Sequence, residues 1–306
     1  VTATSCDNQP QASVKIGYLP VYSNLPLFVA AEEGFFSQNG IKTELIRFES
    51  SPTIATALVN GDIDMAGNVA YPSVLSIESR DPGKLKIYLV SAHTKQDYLS
   101  SIVTMPNSGI FKVEDLRGKT VGIFPGPSAG VFFGLLFEKH GLNPKTDINL
   151  VELDSNLELD ALTSGKVDAL ATFEPISTQA VLQIGAVNIL PAAIETEVVE
   201  PWHGGASVIT AKYIDENPEM AKRVIESLYL AVDFIRQNPT RAKETLTKYT
   251  GIPSAMAQKI PNPAFQKIGE MNLKTLQEQA DMLQINGVLT KKIDLTELLL
   301  DLNILR

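Results

Sequence analysis

The chain has 306 residues, of which 44% are hydrophobic and 20% charged, and a net charge of −9. That length can hold two core-bearing domains, and an acidic balance without a long Lys/Arg run argues against nucleic acid as a partner. No apolar run reaches the roughly 18 residues needed to span a bilayer.

No Met opens the chain and no charged-then-apolar leader precedes it, so a processed or trimmed form is expected. The single cysteine, Cys6, lies in VTATSCDNQPQAS and excludes intrachain disulfides and multi-cysteine metal sites. Small residues Ala3, Thr4 and Ser5 precede it and a polar stretch, 7–13, follows. This resembles a bacterial lipoprotein cleavage box, departing from it at Ala3, where that pattern usually has Leu. The resemblance implies a lipid on Cys6, with residues 1–13 as a flexible tether.

The first strand is VKIGYL (14–19), followed by a loop and a helix over about 25–38, with Pro26 in its first turn and Gly40 as its cap. A strand at 43–48, a turn at 49–51, a helix from Pro52 stopped by Gly61, and a strand at 63–66 complete a unit. A helix near 72–79 and a strand at 85–92 extend it. Strands alternating with helices of these lengths imply parallel β-α-β crossovers. The segment 98–106 reads as a strand with no helix after it, which carries the chain into a second half. There a helical turn at 113–118, a strand at 120–124 and a helix at 128–139 ending at Gly141 lead to a strand within 184–193. The strand 204–212 returns the chain to the first half. Beyond Asp215 the pattern is almost wholly helical, with Met220, Val224, Leu228, Ala231, Val232 and Ile235 marking one buried face over 218–239. Three or four more helices follow and buttress the first half.

One stretch occurs twice. ALVNGDIDMAG (57–67) aligns with ALTSGKVDALA (161–171), pairing Gly61 with Gly165, Ile63 with Val167 and Asp64 with Asp168, each 104 residues apart. A spacing this long points to two copies of an α/β unit and not to a solenoid. The expected organisation is a lobe of 14–100 with 204–306, a lobe of 101–203, and a cleft between them.

Ligands of open parallel sheets bind beyond the carboxyl ends of the strands. The loops there are 18–25, 49–53, 67–73, 91–95, 124–130, 154–156 and 172–175, rich in Ser, Thr, Asn and Gly and opening several helices. Unpaired N–H groups at helix starts favour a small anion or polar solute. Aromatic residues Tyr18, Tyr22, Tyr71, Phe124, Phe173 and Trp202, the only tryptophan, offer stacking surfaces. Glu174, Glu200, His93 and His203 lie in or beside these segments, Lys95 is near, and no Arg is present, which leaves the charge of the ligand open.

The segments LPLFVAAEEGFFSQNGI, ALVNGDIDMAG, DLRGKTVGIFPGPSAG and ATFEP together resemble the solute-binding proteins of ABC importers for nitrate, sulfonate, taurine and bicarbonate, a group that includes binders of thiamine pyrimidine precursors. The resemblance covers about 14–300. It implies a two-lobed periplasmic-binding-protein fold of type II, with mostly parallel sheets flanked by helices and a two-strand hinge. It also implies an importer permease as partner, a monomer outside the cytoplasmic membrane, and no cofactor or metal. Family contacts carried over by position fall on Tyr18, Tyr22, Ser23, Asn24, Leu25, Asn68, His93, Ser128, Ala129, Glu174, Trp202 and His203. Ser51, Tyr71 and Phe173 join them as residues of the same loops. A sulfonate-like oxyanion is the first expectation and a heteroaromatic solute the second. The cysteine-rich segment of the related pyrimidine-forming enzymes is absent.

A catalytic alternative exists. GPSAG (126–130) matches the G-x-S-x-G elbow, with Asp168 and His203 following in the order Ser, Asp, His. The duplication supplies a simpler cause, since the first half makes the same strand-to-helix turn without the motif. An effector domain of a transcription regulator shares the fold, but no helix-turn-helix precedes residue 14.

Overall fold

A parallel strand–helix–strand unit, built twice, generates the architecture. A computed structural model describes residues 13–262 and 264–305, so Cys6 lies outside the described residues. The first half runs β1 (Ser13–Tyr18), α1 (Leu25–Glu32), α2 (Phe35–Gln38), β2 (Lys42–Arg47), α3 (Ser51–Asn60), β3 (Met65–Ala70), α4 (Tyr71–Arg80) and β4 (Leu85–His93). A proline in the first turn starts α1, α3 and α4, where its missing N–H has no partner to lose. The single helix expected over 25–38 is two, because Gly34 adopts φ +74° and turns the chain out of the helix.

The second half runs β5 (Ser100–Thr104), β6 (Thr120–Ile123), α5 (Pro127–Lys139), β7 (Asn149–Glu152), α6 (Ser155–Thr163), β8 (Ala169–Phe173), α7 (Ile176–Ile184), β9 (Val187–Pro191) and α8 (Ala193–Glu197). The chain then returns through β10 (Trp202–Thr210) to α9 (Ala211–Glu216), α10 (Pro218–Gln237), α11 (Pro239–Thr250), α12 (Ser254–Ala257), β11 (Phe265–Lys267), α13 (Leu273–Ile285) and α14 (Leu295–Leu298). The tail is therefore not purely helical: β11 pairs antiparallel with β4 at the edge of the first sheet. The buried stripe of α10 is Ala221, Val224, Ile225, Ser227, Leu228, Ala231, Val232 and Ile235, with Met220 only half-buried at its rim.

Two sheets result, ordered β11-β4-β10-β3-β1-β2 and β7-β6-β8-β5-β9. β1, β2 and β3 pair parallel, as do β6, β7 and β8. Beside β3 and β8 lies an antiparallel strand, β10 in one sheet and β5 in the other. Each of these strands has just arrived from the other half, so the chain crosses between sheets at 94–99 and 192–201.

The duplicated sequence has a structural cause. Gly61 and Gly165 both adopt left-handed φ, +79° and +72°, and stop α3 and α6. Asp64 then accepts the Lys15 N–H at 2.8 Å and donates its own N–H to the Lys15 carbonyl. Asp168 does the same with Thr120, also at 2.8 Å. Each aspartate satisfies a donor at the amino end of a parallel pair, where the ladder offers none.

Candidate functional site

The carboxyl ends of both sheets face each other, and aromatic side chains fill the junction. Trp202 opens β10 and pairs with His93, the last residue of β4. Phe173, at the end of β8 in the other sheet, stacks on Trp202 with centroids 5.4 Å apart and planes 23° from parallel. Phe132 meets the indole edge-on at 5.8 Å, and Phe133 lies 5.5 Å from Phe173. On the first lobe Tyr22 stands 6.4 Å from His93, which is 6.0 Å from Trp202. The loop residues Tyr22, His93, Phe173 and Trp202, expected from the sequence, therefore come together. Phe132 and Phe133, one turn into α5, join them without having been singled out, although the run VFFG carried an aromatic signal.

This wall holds polar atoms without a well-aligned partner. Among the described residues, Tyr22 Oη, Trp202 Nε1 and the ring nitrogens of His93 are buried in this way, with the Asp97 backbone the one hydrogen-bonding group that bears on His93. Asn68 Nδ2, also unpartnered, lies apart in a small cavity with Ser23 and Ser207. Buried polar groups are nearly always paired, so several orphans in one place mark where a ligand is recognised. Burial pushes His93 down to about 3, which keeps its imidazole neutral with one donor and one acceptor. Burial chiefly, and then the nearby carboxylates Glu174, Glu195 and Asp97, raise the Tyr22 phenol well above its ordinary value.

Helix starts supply the remaining donors, and they differ. Ser50 caps α3 by accepting the Thr53 N–H at 3.4 Å. Glu174 lies across the start of α7, accepting the Ser177 hydroxyl at 2.5 Å and the Thr178 N–H at 3.3 Å. Its carboxyl is raised by burial, an effect these bonds and Lys243 partly offset. α5 opens at Gly126 (φ +110°) and Pro127; Gly126 has no side chain to cap the first turn, and its own N–H donates to Glu152 Oε1 at 3.4 Å. Ser128, half-buried, and Ala129, fully buried, occupy its first turn beside Phe132 and Phe173.

Other expected contacts serve to hold the loops. Asn24 accepts the Asn68 N–H at 2.6 Å and donates to the Leu19 and Asn68 carbonyls at 3.0 Å, which uses its whole amide and pins the 18–25 loop to β3. Gly67 makes room for it, since a Cβ there would sit 2.1 Å from Asn24 Oδ1. Leu25 belongs to the core, and Tyr18 packs on Phe28 and Tyr249. The Ser51 hydroxyl accepts the Ala70 N–H at 3.2 Å, and Ser23 lines a small internal cavity with Asn68 and Ser207. Tyr71 points into the C-terminal helices, donating to the Leu276 carbonyl at 3.2 Å. His203 is likewise held from both sides, by Gln279 at 2.9 Å and Gln266 at 3.2 Å.

The hydrolase arrangement is not assembled. Asp168 sits at the amino end of β8, bonded to Thr120, whereas Ser128 follows the opposite end of β6. Both ring nitrogens of His203 are engaged by glutamines. No cluster of three His, Cys, Asp or Glu side chains able to hold a metal is found among the described residues. An open groove of about 760 Å³, lined by Lys86, Ile214, Leu273 and Leu300 among others, lies at the amino end of β4. It gathers none of the orphaned buried atoms and is remote from the junction of the lobes.

The NMT1-like family model matches residues 7–248. A Bacillus subtilis protein named for binding aliphatic sulfonates is 24% identical over 302 residues, covering 96% of this chain and 87% of the relative. The crystal structure of the periplasmic aliphatic sulphonate binding protein SsuA from Escherichia coli superposes with a TM-score of 0.78 at 20% identity, covering 96% of this chain and 93% of that one. The desulfurization enzyme DszB has the same fold, with a TM-score of 0.71 at 14% identity, covering 95% of this chain and 97% of that one. The fold thus carries both binding proteins and an enzyme. With two sheets meeting at an aromatic junction, and with a family match over most of its length, the chain belongs to the NMT1-like family.

Proposed function

We propose that this protein is the extracytoplasmic solute-binding component of an ABC importer, without catalytic activity, and that it captures a small organic sulfonate or similar oxyanion between its lobes. The observation that carries this reading is the Trp202–Phe173 wall beside the first turn of α5, where Gly126 offers no side chain to cap Ser128 and Ala129 and only its own N–H is taken, by Glu152 at 3.4 Å. Free N–H groups at a helix start attract an anion, each end contributing about 0.3–1 kcal/mol when exposed and up to ~2 when partly buried. The aromatic wall suits the organic part of such a molecule. The names of the Bacillus and Escherichia relatives agree with this ligand class.

Residues 14–100 with 204–306 would form one moving body and 101–203 the other, closing by hinge motion. Ser128, Ala129, His93, Trp202, Phe173 and Tyr22 are the contacts proposed, with Asn24, Asn68 and Ser51 shaping their loops. The importer permease recognises the closed form, and a lipid on Cys6 tethers a monomer to the outer face of the membrane. A second reading, a heteroaromatic solute, is favoured by the neutral His93 and the orphaned Trp202 Nε1 and Tyr22 Oη, which fit carbonyl and ring-nitrogen groups better than charge.

A thermal-shift panel of alkyl and aryl sulfonates, nitrate, bicarbonate and pyrimidines separates the readings. A true solute at a hundredfold excess over Kd stabilises by about 2.7 kcal/mol, which is several degrees, and Trp202→Leu should abolish that shift. A shift with pyrimidines alone would replace the first reading by the second. Glu174→Gln sharpens the choice: retained or tighter binding indicates an anion, and lost binding a solute rich in N–H groups.

A further inference from the structure

The two passages between the sheets, 94–99 and 192–201, are tied together at both ends by unlike means. On the side of the six-stranded sheet the tie is exposed: the Lys95 N–H donates to Glu200 Oε1 at 3.0 Å, and the ammonium lies 3.4 Å from Oε2. Solvent-exposed pairs of this kind hold geometry weakly.

On the side of the five-stranded sheet the tie is buried. Glu195 of α8 is 1% exposed. One of its oxygens accepts the N–H groups of Leu99 at 2.7 Å and Ser100 at 3.3 Å, and the other is in close contact with the Ser100 hydroxyl. The Ser100 oxygen accepts the Ile194 N–H at 2.7 Å, closing the circuit back to α8. The Leu99 carbonyl accepts the Glu174 N–H at 2.8 Å, so both backbone groups of Leu99 belong to the second lobe. Before Leu99, the passage forms a turn in which Asp97 N–H donates to Thr94 Oγ1 at 3.2 Å and Thr94 N–H to the Asp97 carbonyl at 3.3 Å, and the Asp97 carboxylate accepts from the Asn262 backbone, on the side of the first lobe.

We propose that Glu195 is a positioning residue for lobe closure: with Ser100 it locks the second-lobe ends of both passages into one block, which Val198 and Val199 join through the Ile194 carbonyl, confining the pivot to residues 94–98 and 200–201. This rests on the closure reading above, but the lock can be tested apart from it.

The groups facing Glu195 are few. Tyr22 and Tyr98 feel its charge, the end of α5 presents Lys139, taken up by Glu197 at 2.9 Å, and His140, which follows α5, is bonded through Nδ1 to Glu114 at 2.9 Å with Nε2 3.5 Å from Glu197, while β5 presents only serines at that end. Burial lifts the carboxyl to about 7. If opening the block hydrates Glu195, its affinity for protons falls, so protonation favours the locked form and ionisation favours opening. A protonated carboxyl still accepts both N–H groups on one oxygen and donates from the other to Ser100 Oγ.

Hydrogen exchange of the ligand-free protein between pH 5 and 9, corrected for intrinsic rates, reads the lock at the Leu99 and Ser100 amides. Protection should fall at least tenfold as pH rises through 7. Glu195→Gln should keep the protection and flatten the profile. Ser100→Ala, a milder change that keeps the buried carboxyl, should lose protection tenfold at every pH, whereas Lys95→Ala should change it less than twofold. In small-angle scattering, Ser100→Ala should give a larger radius of gyration than the wild type. A flat wild-type profile overturns the proposal, as does an equal effect of Lys95→Ala or lost protection with unchanged dimensions. If wild type and every variant share one invariant dimension across the pH range, the closure reading fails as well.

Discussion

Glu158 shows how a single buried side chain acts on the whole fold. It lies in the first turn of α6, is 1% exposed, and has one oxygen without a partner. Burial raises its carboxyl to about 7, and the neighbouring Thr172 hydroxyl, itself lacking a well-aligned partner, only partly opposes this. A carboxyl raised in the folded state lends its stability below the ordinary carboxylate range and loses it as pH climbs to about 7. Glu158→Gln should therefore raise the unfolding free energy by roughly 1–2 kcal/mol at pH 8, within the 1.36 kcal/mol per unit that links a shift to stability. Little change is expected at pH 4, and denaturant titration at the two pH values checks the difference. His93 differs in kind: its ring nitrogens, without a well-aligned partner, sit in the aromatic junction, where a ligand can complete them. No spacing rule distinguishes these two roles, because both residues occupy polar helix-start or strand-end segments in the sequence.

At the level of elements, the repeat was legible because it solves the same backbone problem twice. A glycine releases the helix, an aliphatic residue enters the core, and an aspartate closes the amino end of a parallel ladder. Gly17 and Gly122 complete the pattern, since a Cβ at either would press on Ile63 or on Leu153 and Leu170 at 2.5–2.8 Å. Both aspartates accept a strand N–H at 2.8 Å, but the bond of Asp168 is part-buried and that of Asp64 is exposed to water. Removing a buried acceptor strands its donor at about 1–3 kcal/mol, while water repairs an exposed one. Asp168→Ala should accordingly cost about 1–2 kcal/mol in equilibrium unfolding and Asp64→Ala less than half of that. Equal losses would show that the two repeats do not divide as their burial indicates. The break at Gly34 and the strand β11 were not legible in this way. A glycine inside an apolar run reads as tolerated helix, and a three-residue strand carries no periodicity of its own.

At the scale of the molecule, two populations of carboxylates set the response to pH. Glu158, Glu174 and Glu195 are raised by burial, and their contribution fades as pH rises above the ordinary carboxylate range, towards about 7 for Glu158 and Glu195. Glu32, Glu197 and Glu270 are lowered chiefly by hydrogen bonds from Lys248, Lys139 and Arg236, and their contribution fades as pH falls below the ordinary carboxylate range. Thermal stability should therefore peak near about pH 5 and decline on both sides. A calorimetric series from pH 3 to 9 with its maximum above 7 would contradict this balance, in which the self-repulsion of a −9 chain at neutral pH also takes part.

The sequence by itself determined the paired α/β units, the crossing near residue 100, the return near 204 and the loops that bound the junction. Turn residues, helix stops and apolar spacing act over a few neighbours and are written in order along the chain. Only the tertiary structure decided which loop residues became scaffold and which were left with unmet hydrogen bonds. Asn24, Tyr71 and His203 spend their polar atoms on Asn68, Leu276, Gln266 and Gln279, the last three distant in sequence from the residues they hold. Hydrogen-bond satisfaction is a property of three-dimensional neighbours, so it becomes decidable only when the two lobes and the helical tail have packed together.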